Sequence, residues 1–374
     1  MENAKGESAL INTVSAVSLG LVILAGGRSS RMGRDKAALP WRDATLLTDL
    51  IQRSQGVAFD EIVVSANRPP DLSALPSELS SCVRVVADNY QGCGPLSGME
   101  AAFRACTCSY CLVLSVDLPF YDFSPVKRLL PELSQTSLVD LFLPMSENRP
   151  QPLAAIYKRE AALEAVQAAL AAGKRRVLSI VDALTVRILD DTGAPILYEN
   201  INTPSAYKDA LAIDINRRRA VPVATISAGR SGSGKTALAV EVIAELTRRG
   251  CTVGYIKSTH HHACQETPSS DTARARRAGA AVSLLCGPDD IPAGQTKEQF
   301  LYQLSQQIDA DLVLIESRSH GLFPILYIDG TEPPAVPEDK ITARIGKRNC
   351  SAHYHPLPNQ IDAICAYILY ITKS

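Results

Sequence analysis

Short apolar runs alternate along most of the chain with longer stretches whose apolar positions recur at helical spacing. In the first half the runs Leu21–Leu24, Ile62–Ala66, Val83–Ala87, Leu112–Val116 and Leu138–Leu143 are expected strands. Helices are expected at Leu46–Arg53, Met99–Cys106, Pro125–Leu133 and Glu160–Ala171, and the run Ser205–Ile213 closes this half. The pattern restarts with strand Val223–Ser227, helix Thr236–Arg249, strand Val253–Lys257, helix Asp271–Ala278 and strand Leu312–Ile315. Such alternation predicts α/β architecture, with two three-layer α/β/α domains. Between the halves, Asn216-Arg-Arg-Arg-Ala-Val-Pro222 is charged and ends in proline, as expected of a linker. The expected division is therefore a loose extension at 1–17, a first domain at 18–215, a linker at 216–222 and a second domain at 223–374.

Length supports two domains, because 374 residues exceed the usual size of one. Aromatic residues are only 5%, so the cores must be aliphatic, which suits buried parallel sheets flanked by Ala- and Leu-rich helices. The net charge of −1 supplies no bulk positive field for nucleic acid or anionic lipid, so neither is an expected partner. Ten irregularly spaced cysteines in a chain this long read as mostly reduced thiols. The apolar stretch Val14–Ala25 follows Lys5 in the manner of a signal peptide, yet Glu2 and Glu7 offset that lysine and the stretch runs into a glycine-rich loop. No segment reaches the roughly 18 continuous apolar residues that span a bilayer, and a soluble cytoplasmic protein is expected.

The first glycine-rich loop, Leu24-Ala25-Gly26-Gly-Arg-Ser-Ser-Arg31-Met-Gly-Arg-Asp-Lys36, follows strand Leu21–Leu24. Glycines there let backbone N–H groups approach phosphate oxygens, and Arg28, Arg31 and Lys36 can neutralise a polyphosphate. A solvated basic loop has the same composition. Asp117 and Asp88 each follow a strand, where ligands bind in open parallel sheets and a carboxylate can hold Mg²⁺ against phosphates. A strand-end Asp also serves as a helix cap.

Leu24–Lys36, Val63-Val-Ser-Ala-Asn67-Arg68, Asp88, Gly94-Pro-Leu-Ser-Gly-Met99, Ser115-Val-Asp117-Leu-Pro119, Gly173-Lys-Arg-Arg-Val177 and Asn200-Ile-Asn-Thr-Pro204 resemble the ordered motifs of the molybdenum cofactor guanylyltransferases (MobA type). The resemblance spans residues 20–212 and implies transfer of GMP from GTP to Mo-molybdopterin, releasing pyrophosphate. It implies that Leu24, Ala25, Gly26, Lys36, Asn67 and Asp88 contact GTP, and that Asp117 binds nucleotide and Mg²⁺. It sets Arg31, Arg175, Arg176, Asn200 and Asn202 near the phosphates and the pterin, with Arg31, Lys36, Asp117, Asn200 and Asn202 as the catalytic set and Arg175 and Arg176 toward molybdopterin. Within that family Leu-Ala-Gly-Gly accompanies guanine and Leu-Ala-Ala-Gly cytidine, so Gly26 favours GTP. The attacking phosphate is already anionic, which requires charge neutralisation rather than a strong base, and none of the six histidines precedes residue 260.

Gly229-Arg-Ser231-Gly232-Ser233-Gly234-Lys235-Thr236 is a full P-loop between an expected strand and helix. Its N–H groups would wrap phosphates at the helix N-terminus, Lys235 would reach the β/γ oxygens and Thr236 would ligate Mg²⁺. Glu316, ending strand Leu312–Ile315, is the acidic partner for that metal or its water. No Asn-Lys-x-Asp motif is present, so spacing leaves ATP and GTP both open. With Ile256-Lys-Ser-Thr-His-His261, Asp271-Thr272, Arg277-Ala-Gly-Ala280 and Leu312-Val-Leu-Ile-Glu316, the second half resembles the molybdopterin-guanine dinucleotide biosynthesis adaptors (MobB type). The resemblance implies a GTP-binding homodimer of low hydrolytic activity that assists the transferase; Ser317 stands where that family carries glycine.

Cys106-x-Cys108-x-x-Cys111 and His260-His-His262-x-Cys264 have metal-ligand residue types, with zinc and iron–sulfur readings to set against plain structural ones, and the tail from Pro333 shows no chemistry. Three functions compete: the fused guanylyltransferase and adaptor, a cytidylyl- or sugar-phosphate nucleotidyltransferase, and a non-catalytic module delivering cofactor to molybdoenzymes or their chaperones.

Overall fold

A computed structural model of the chain describes residues 17–26, 32–90, 92–133, 138–262, 267–330, 332–346 and 353–373. Contacts divide it into two compact units, residues 1–200 and 201–374. The first unit is built on an eight-stranded sheet. Its central path runs Val186–Asp190, Leu141–Ser146, Ala154–Lys158, Tyr110–Ser115, Leu19–Leu24, Glu61–Ser65 and Val83–Val86. Leu19–Leu24 is buried at every position, as a central strand covered on both faces must be. Alternate residues serve opposite faces: Val22, Leu24, Val63 and Val113 share a core with Leu96, Met99 and Phe103 of helix Pro95–Ala105 and Ala162 and Val166 of helix Arg159–Ala171. That helix starts earlier than expected, at Pro95, because proline suits the first helical position and Gly94 takes φ 68° before it.

The α/β class agrees with the sequence pattern, but three strands of this sheet, Arg149–Pro150, Ala154–Lys158 and Val186–Asp190, were not legible in it. Ala154–Lys158 is antiparallel to both of its neighbours, and Val186–Asp190 extends the sheet beyond it. Ala-Ala-Ile-Tyr-Lys has little β preference of its own and runs straight into a helix, so tertiary burial decides its state. The expected strand 138–143 lies at Leu141–Ser146 instead. No described helix is long and apolar enough to cross a membrane, and the eight described cysteines are free thiols. Residues 1–16, most of the expected extension, lie outside the described residues.

In the second unit seven strands pair in parallel throughout: Val282–Cys286, Val253–Ser258, Leu312–Glu316, Val223–Ala228, Ile325–Ile328, Ile341–Ile345 and His355–Leu357. Ala224, Ile226, Tyr255 and Leu314 pack on one face with helices Lys235–Arg248 and Ile361–Thr372, while Val223, Ile256, Val313 and Ile315 pack on the other with Leu301 of helix Lys297–Gln306. The tail from Pro333 thus contributes two strands and a helix that its proline-rich sequence concealed.

The division between units falls before the expected linker. Helix Pro204–Arg217 belongs with the second unit, where its Ala212 joins that core and Asp209 accepts a hydrogen bond from the Tyr367 hydroxyl at 2.6 Å. Residues 216–222 are integral there: buried Asn216 donates to Val223 O (3.2 Å) and Ile371 O (2.9 Å) and accepts from Val223 N (3.0 Å). Asn216→Ala would strand these backbone groups, and a loss of about 3 kcal/mol in the denaturation of the second unit is expected, with the transition of the first unit unmoved. A change below about 0.5 kcal/mol would show that Asn216 is not a structural tie.

Candidate functional sites

The parallel register of the first sheet aligns the predicted residues before any side chain is considered. Leu24 pairs with Ser65 and with Ser115, and Ser65 pairs with Val86. Gly26, Asn67, Asp88 and Asp117 each follow one of these residues by two positions, so all four stand at the carboxyl edge of adjacent strands. The chain also switches direction there, since Glu61–Ser65 lies on one side of Leu19–Leu24 and Tyr110–Ser115 on the other. Open α/β sheets bind ligands at such a switch point.

Side chains then gather into two groups. Asp88 Oδ2 accepts from Asn67 Nδ2 (3.0 Å), Asp88 N donates to Asn67 Oδ1 (3.1 Å), and Asp88 Oδ1 accepts from the Ser65 hydroxyl (2.8 Å). Gly26 borders this group, for a Cβ there would meet Asn67 Nδ2 at 3.5 Å and both Asp88 carboxylate oxygens at 3.7 Å. Ala25 N donates to Ser65 O at 2.9 Å, fixing the start of the loop. In the second group Lys36 Nζ donates to Asp117 Oδ2 at 2.7 Å, while Asp117 Oδ1 is buried with no hydrogen-bond partner. A buried carboxylate oxygen left unpaired at a strand end has the chemistry of a ligand for a hard divalent cation.

Arg175 and Arg176 are exposed ahead of the 3-10 helix Val177–Ala183, and the Arg175 carbonyl lies 3.4 Å from where a Cβ on Gly94 would sit. Asn200 is exposed and donates to Tyr198 O at 3.2 Å; Asn202, also exposed, falls in the second unit. No described contact joins the side chains of Arg175, Arg176 or Asn200 to Lys36 or Asp117. Arg28 and the catalytic candidate Arg31 lie outside the described residues.

Two supports escaped the sequence pattern. Gly98 leaves room for Ser65, whose hydroxyl would stand 2.7 Å from a Cβ at that position. Arg53, paired with Asp49 at 2.7 Å, donates to Pro119 O (3.0 Å) and to Tyr121 O, bracing the segment that follows Asp117. Arg53 ended one expected helix and Gly98 stood just ahead of another, and periodicity assigns a residue a face but not a partner.

In the second unit, strand Val223–Ala228 delivers the P-loop to helix Lys235–Arg248. Gly232 and Gly234 take φ 72° and 86°, a region that side chains disfavour, so glycine is required for this turn. The loop lines a cavity of 430 Å³ together with Lys257, His260, Asp271, Arg274, Glu316 and Arg318. Lys235 is buried, which lowers its pKa, and its ammonium donates to Arg230 O (2.8 Å) and to the Ser233 hydroxyl (3.2 Å).

Register sets Glu316 beside Ile226 and Lys257 on the flanking strands. Glu316 accepts from the Thr236 hydroxyl at 2.9 Å, from the Tyr255 hydroxyl at 2.6 Å and from Lys257. Thr236 and Glu316 together fit a Mg²⁺ site, with Glu316 oriented by Tyr255 from behind. Burial, with Glu316 as its hydrogen-bond acceptor, pushes the Tyr255 phenol above its ordinary range. Gly229 lies where a Cβ would meet Pro333 O and the Tyr327 hydroxyl at 2.9 Å, which ties the loop to the tail. The histidine cluster does not converge: His260 Nε2 bonds Ser319 Oγ at 2.8 Å and His262 pairs with Asp289 at 2.8 Å, while Cys264 lies outside the described residues.

The MobA-like NTP transferase domain matches residues 21–187, and molybdopterin guanine dinucleotide synthesis protein B matches residues 224–333. The probable molybdenum cofactor guanylyltransferase of Pelotomaculum thermopropionicum is 32% identical over 212 residues, covering 53% of this chain and 94% of that protein. That of Chloroflexus aggregans is 34% identical over 204 residues, covering 50% and 90%. Among solved structures, molybdopterin-guanine dinucleotide biosynthesis protein A from Archaeoglobus fulgidus is 24% identical, covers 51% of this chain and 96% of that one, and has a TM-score of 0.41. The chain belongs to the molybdenum cofactor guanylyltransferase family through its MobA-like NTP transferase domain, and carries in the same polypeptide a molybdopterin guanine dinucleotide synthesis protein B domain.

Proposed function

We propose that the first unit transfers GMP from GTP to the terminal phosphate of Mo-molybdopterin, and that the second is a GTP-binding adaptor for that reaction. The observation that carries the first part is the pairing of Lys36 with a buried Asp117 whose second oxygen is unpaired, at the sheet edge shared by Gly26, Asn67 and Asp88. In the reaction a phosphate oxygen of molybdopterin bonds to the α-phosphorus of GTP while the bond to the bridging oxygen breaks, and pyrophosphate leaves. A Mg²⁺ held by Asp117 would neutralise charge on the phosphates. Lys36 supplies a second, fixed positive charge, and Asn67 with Asp88 presents a rigid polar edge beside Gly26 for the nucleoside. In the second unit the loop N–H groups and Lys235 hold the polyphosphate, with Thr236 and Glu316 at its metal.

Pyrophosphate release from GTP and Mo-molybdopterin tests the transfer, and its absence would leave a binding module. Competition tests the base: GTP should displace bound substrate far better than CTP or ATP, whereas equal competition favours the cytidylyl- or sugar-phosphate reading. Gly26→Ala should fold normally, since its Cβ meets nothing closer than 3.5 Å. It should nevertheless reduce the GTP-over-CTP preference by about tenfold or more, because a methyl group narrows the space for the purine. An unchanged preference would remove Gly26 from base selection.

A further inference from the structure

At the amino-terminal edge of the first sheet, the end away from Gly26 and Asp117, register pairs Gly20 with Glu61 on one neighbour and with Cys111 on the other. Register partners in parallel strands project from the same face, so the glycine leaves a notch between a carboxylate and a thiol. Two further thiols fill it. Cys106 caps helix Pro95–Ala105, and Cys108 stands in the turn leading to strand Tyr110–Ser115. A Cβ on Gly20 would lie 2.7 Å from Cys106 Sγ and 3.4 Å from Cys108 Sγ, so only glycine admits both.

Cys106 Sγ is 3.6 Å from Cys111 Sγ, and Cys106, Cys108 and Glu61 offer donor atoms within 4.8 Å of one another. Glu61 Oε1 accepts from Thr107 N (3.0 Å) and from the Thr107 hydroxyl. Its Oε2 is buried without a hydrogen-bond partner, with the Arg84 guanidinium 3.7 Å away. We propose that Glu61, Cys106 and Cys108 form a structural site for a thiophilic divalent cation of the Zn²⁺ class, with Cys111 next to Cys106 at its margin, which nothing in the nucleotide chemistry of this unit requires.

The donor set and its spacing carry the assignment. Tetrahedral zinc with Zn–S bonds of about 2.3 Å holds its donor atoms roughly 3.8 Å apart, which the 4.8 Å span of Glu61, Cys106 and Cys108 accommodates. Thr107 orients the carboxylate through one oxygen and leaves the other for the metal, the usual arrangement behind a ligating side chain. A disulfide between Cys106 and Cys111 would use two of the thiols and leave Cys108 and Glu61 Oε2 without a role. Access is short, because Thr107 and Ser109 are exposed between the buried cysteines. Each thiol that ligates gives its proton to solvent, and the bound ion ties the end of helix Pro95–Ala105 and the bend after it to strand Glu61–Ser65.

Co²⁺ titration of the full-length protein, reduced and free of chelator, tests the site. One equivalent should produce a thiolate-to-cobalt charge-transfer band with intense tetrahedral visible bands, and Zn²⁺ should discharge both. The double variant Cys106→Ser, Cys108→Ser should lose these bands. Glu61→Gln should weaken Zn²⁺ binding, read by competition with a chromophoric chelator, by more than about tenfold, the least that loss of an outer-shell partner costs. Absence of the charge-transfer band, its full persistence in the double variant, or mapping of a Cys106–Cys111 disulfide in the alkylated unreduced protein would overturn the proposal. Where the double variant fails to fold by circular dichroism, Glu61→Gln decides alone, and an unchanged Zn²⁺ affinity overturns the site.

Discussion

Asp117→Ala is expected to lower pyrophosphate release from GTP and Mo-molybdopterin by at least about a hundredfold, the equivalent of roughly 3 kcal/mol of transition-state stabilisation. The single carboxylate would serve two cations at once: its Oδ2 holds the Lys36 ammonium at 2.7 Å, and its Oδ1 is the unpaired buried oxygen proposed to meet the metal. Alanine removes both, so Lys36 loses its orientation as the phosphates lose a counter-charge. Asp117→Asn separates these effects, because an amide still offers an oxygen to Lys36 but carries no charge for a cation. If both variants lose activity while raised Mg²⁺ partly rescues Asn and not Ala, Asp117 binds the metal. Near-normal turnover in Asp117→Ala would sink the catalytic assignment.

The second large effect is expected in the other unit. Lys235→Ala should weaken GTP binding at the P-loop by roughly a hundredfold, since a charge-assisted contact to the β/γ oxygens is lost in a site where the lysine is already buried and desolvated. Transfer of GMP should stay largely intact in a purified assay, because Gly26, Asn67, Asp88, Lys36 and Asp117 all belong to the first unit. The deficit should appear in delivery of cofactor to an acceptor enzyme. The comparison requires the full chain, since ending it after Arg217 would strip helix Pro204–Arg217 of the sheet and of the tail helix that bury Ala212 and Ile213. If Lys235→Ala lowers pyrophosphate release as far as Asp117→Ala, the P-loop belongs to the catalytic cycle and the adaptor reading fails.

Much of the arrangement of both candidate sites was legible from residue order alone. A parallel strand is an apolar run, the loop after it faces the ligand edge, and Gly26, Asn67, Asp88 and Asp117 follow such runs at the same offset. The P-loop is equally local, for its glycines, lysine and threonine are consecutive and the chemistry needs them so. Ser65, Gly98, Arg53 and Tyr255 were not legible as supports. Each sits in a regular element, and its contribution depends on what a distant segment brings to it: Asp88 for Ser65, the segment after Asp117 for Arg53, Glu316 for Tyr255.

The sequence by itself determined the class of fold, the two glycine-rich loops and the acidic residues at strand ends, because these follow from periodicity and from contiguous chemistry. Only the tertiary structure decided which unit owns helix Pro204–Arg217, that the tail from Pro333 completes a parallel sheet, and that Glu61 meets Cys106 and Cys108 in the space left by Gly20. The physical reason is the same in each case. Burial and hydrogen-bond satisfaction are settled between residues far apart in the chain, as when Asn216 answers the carbonyl of Ile371, and no local pattern records which partner arrives.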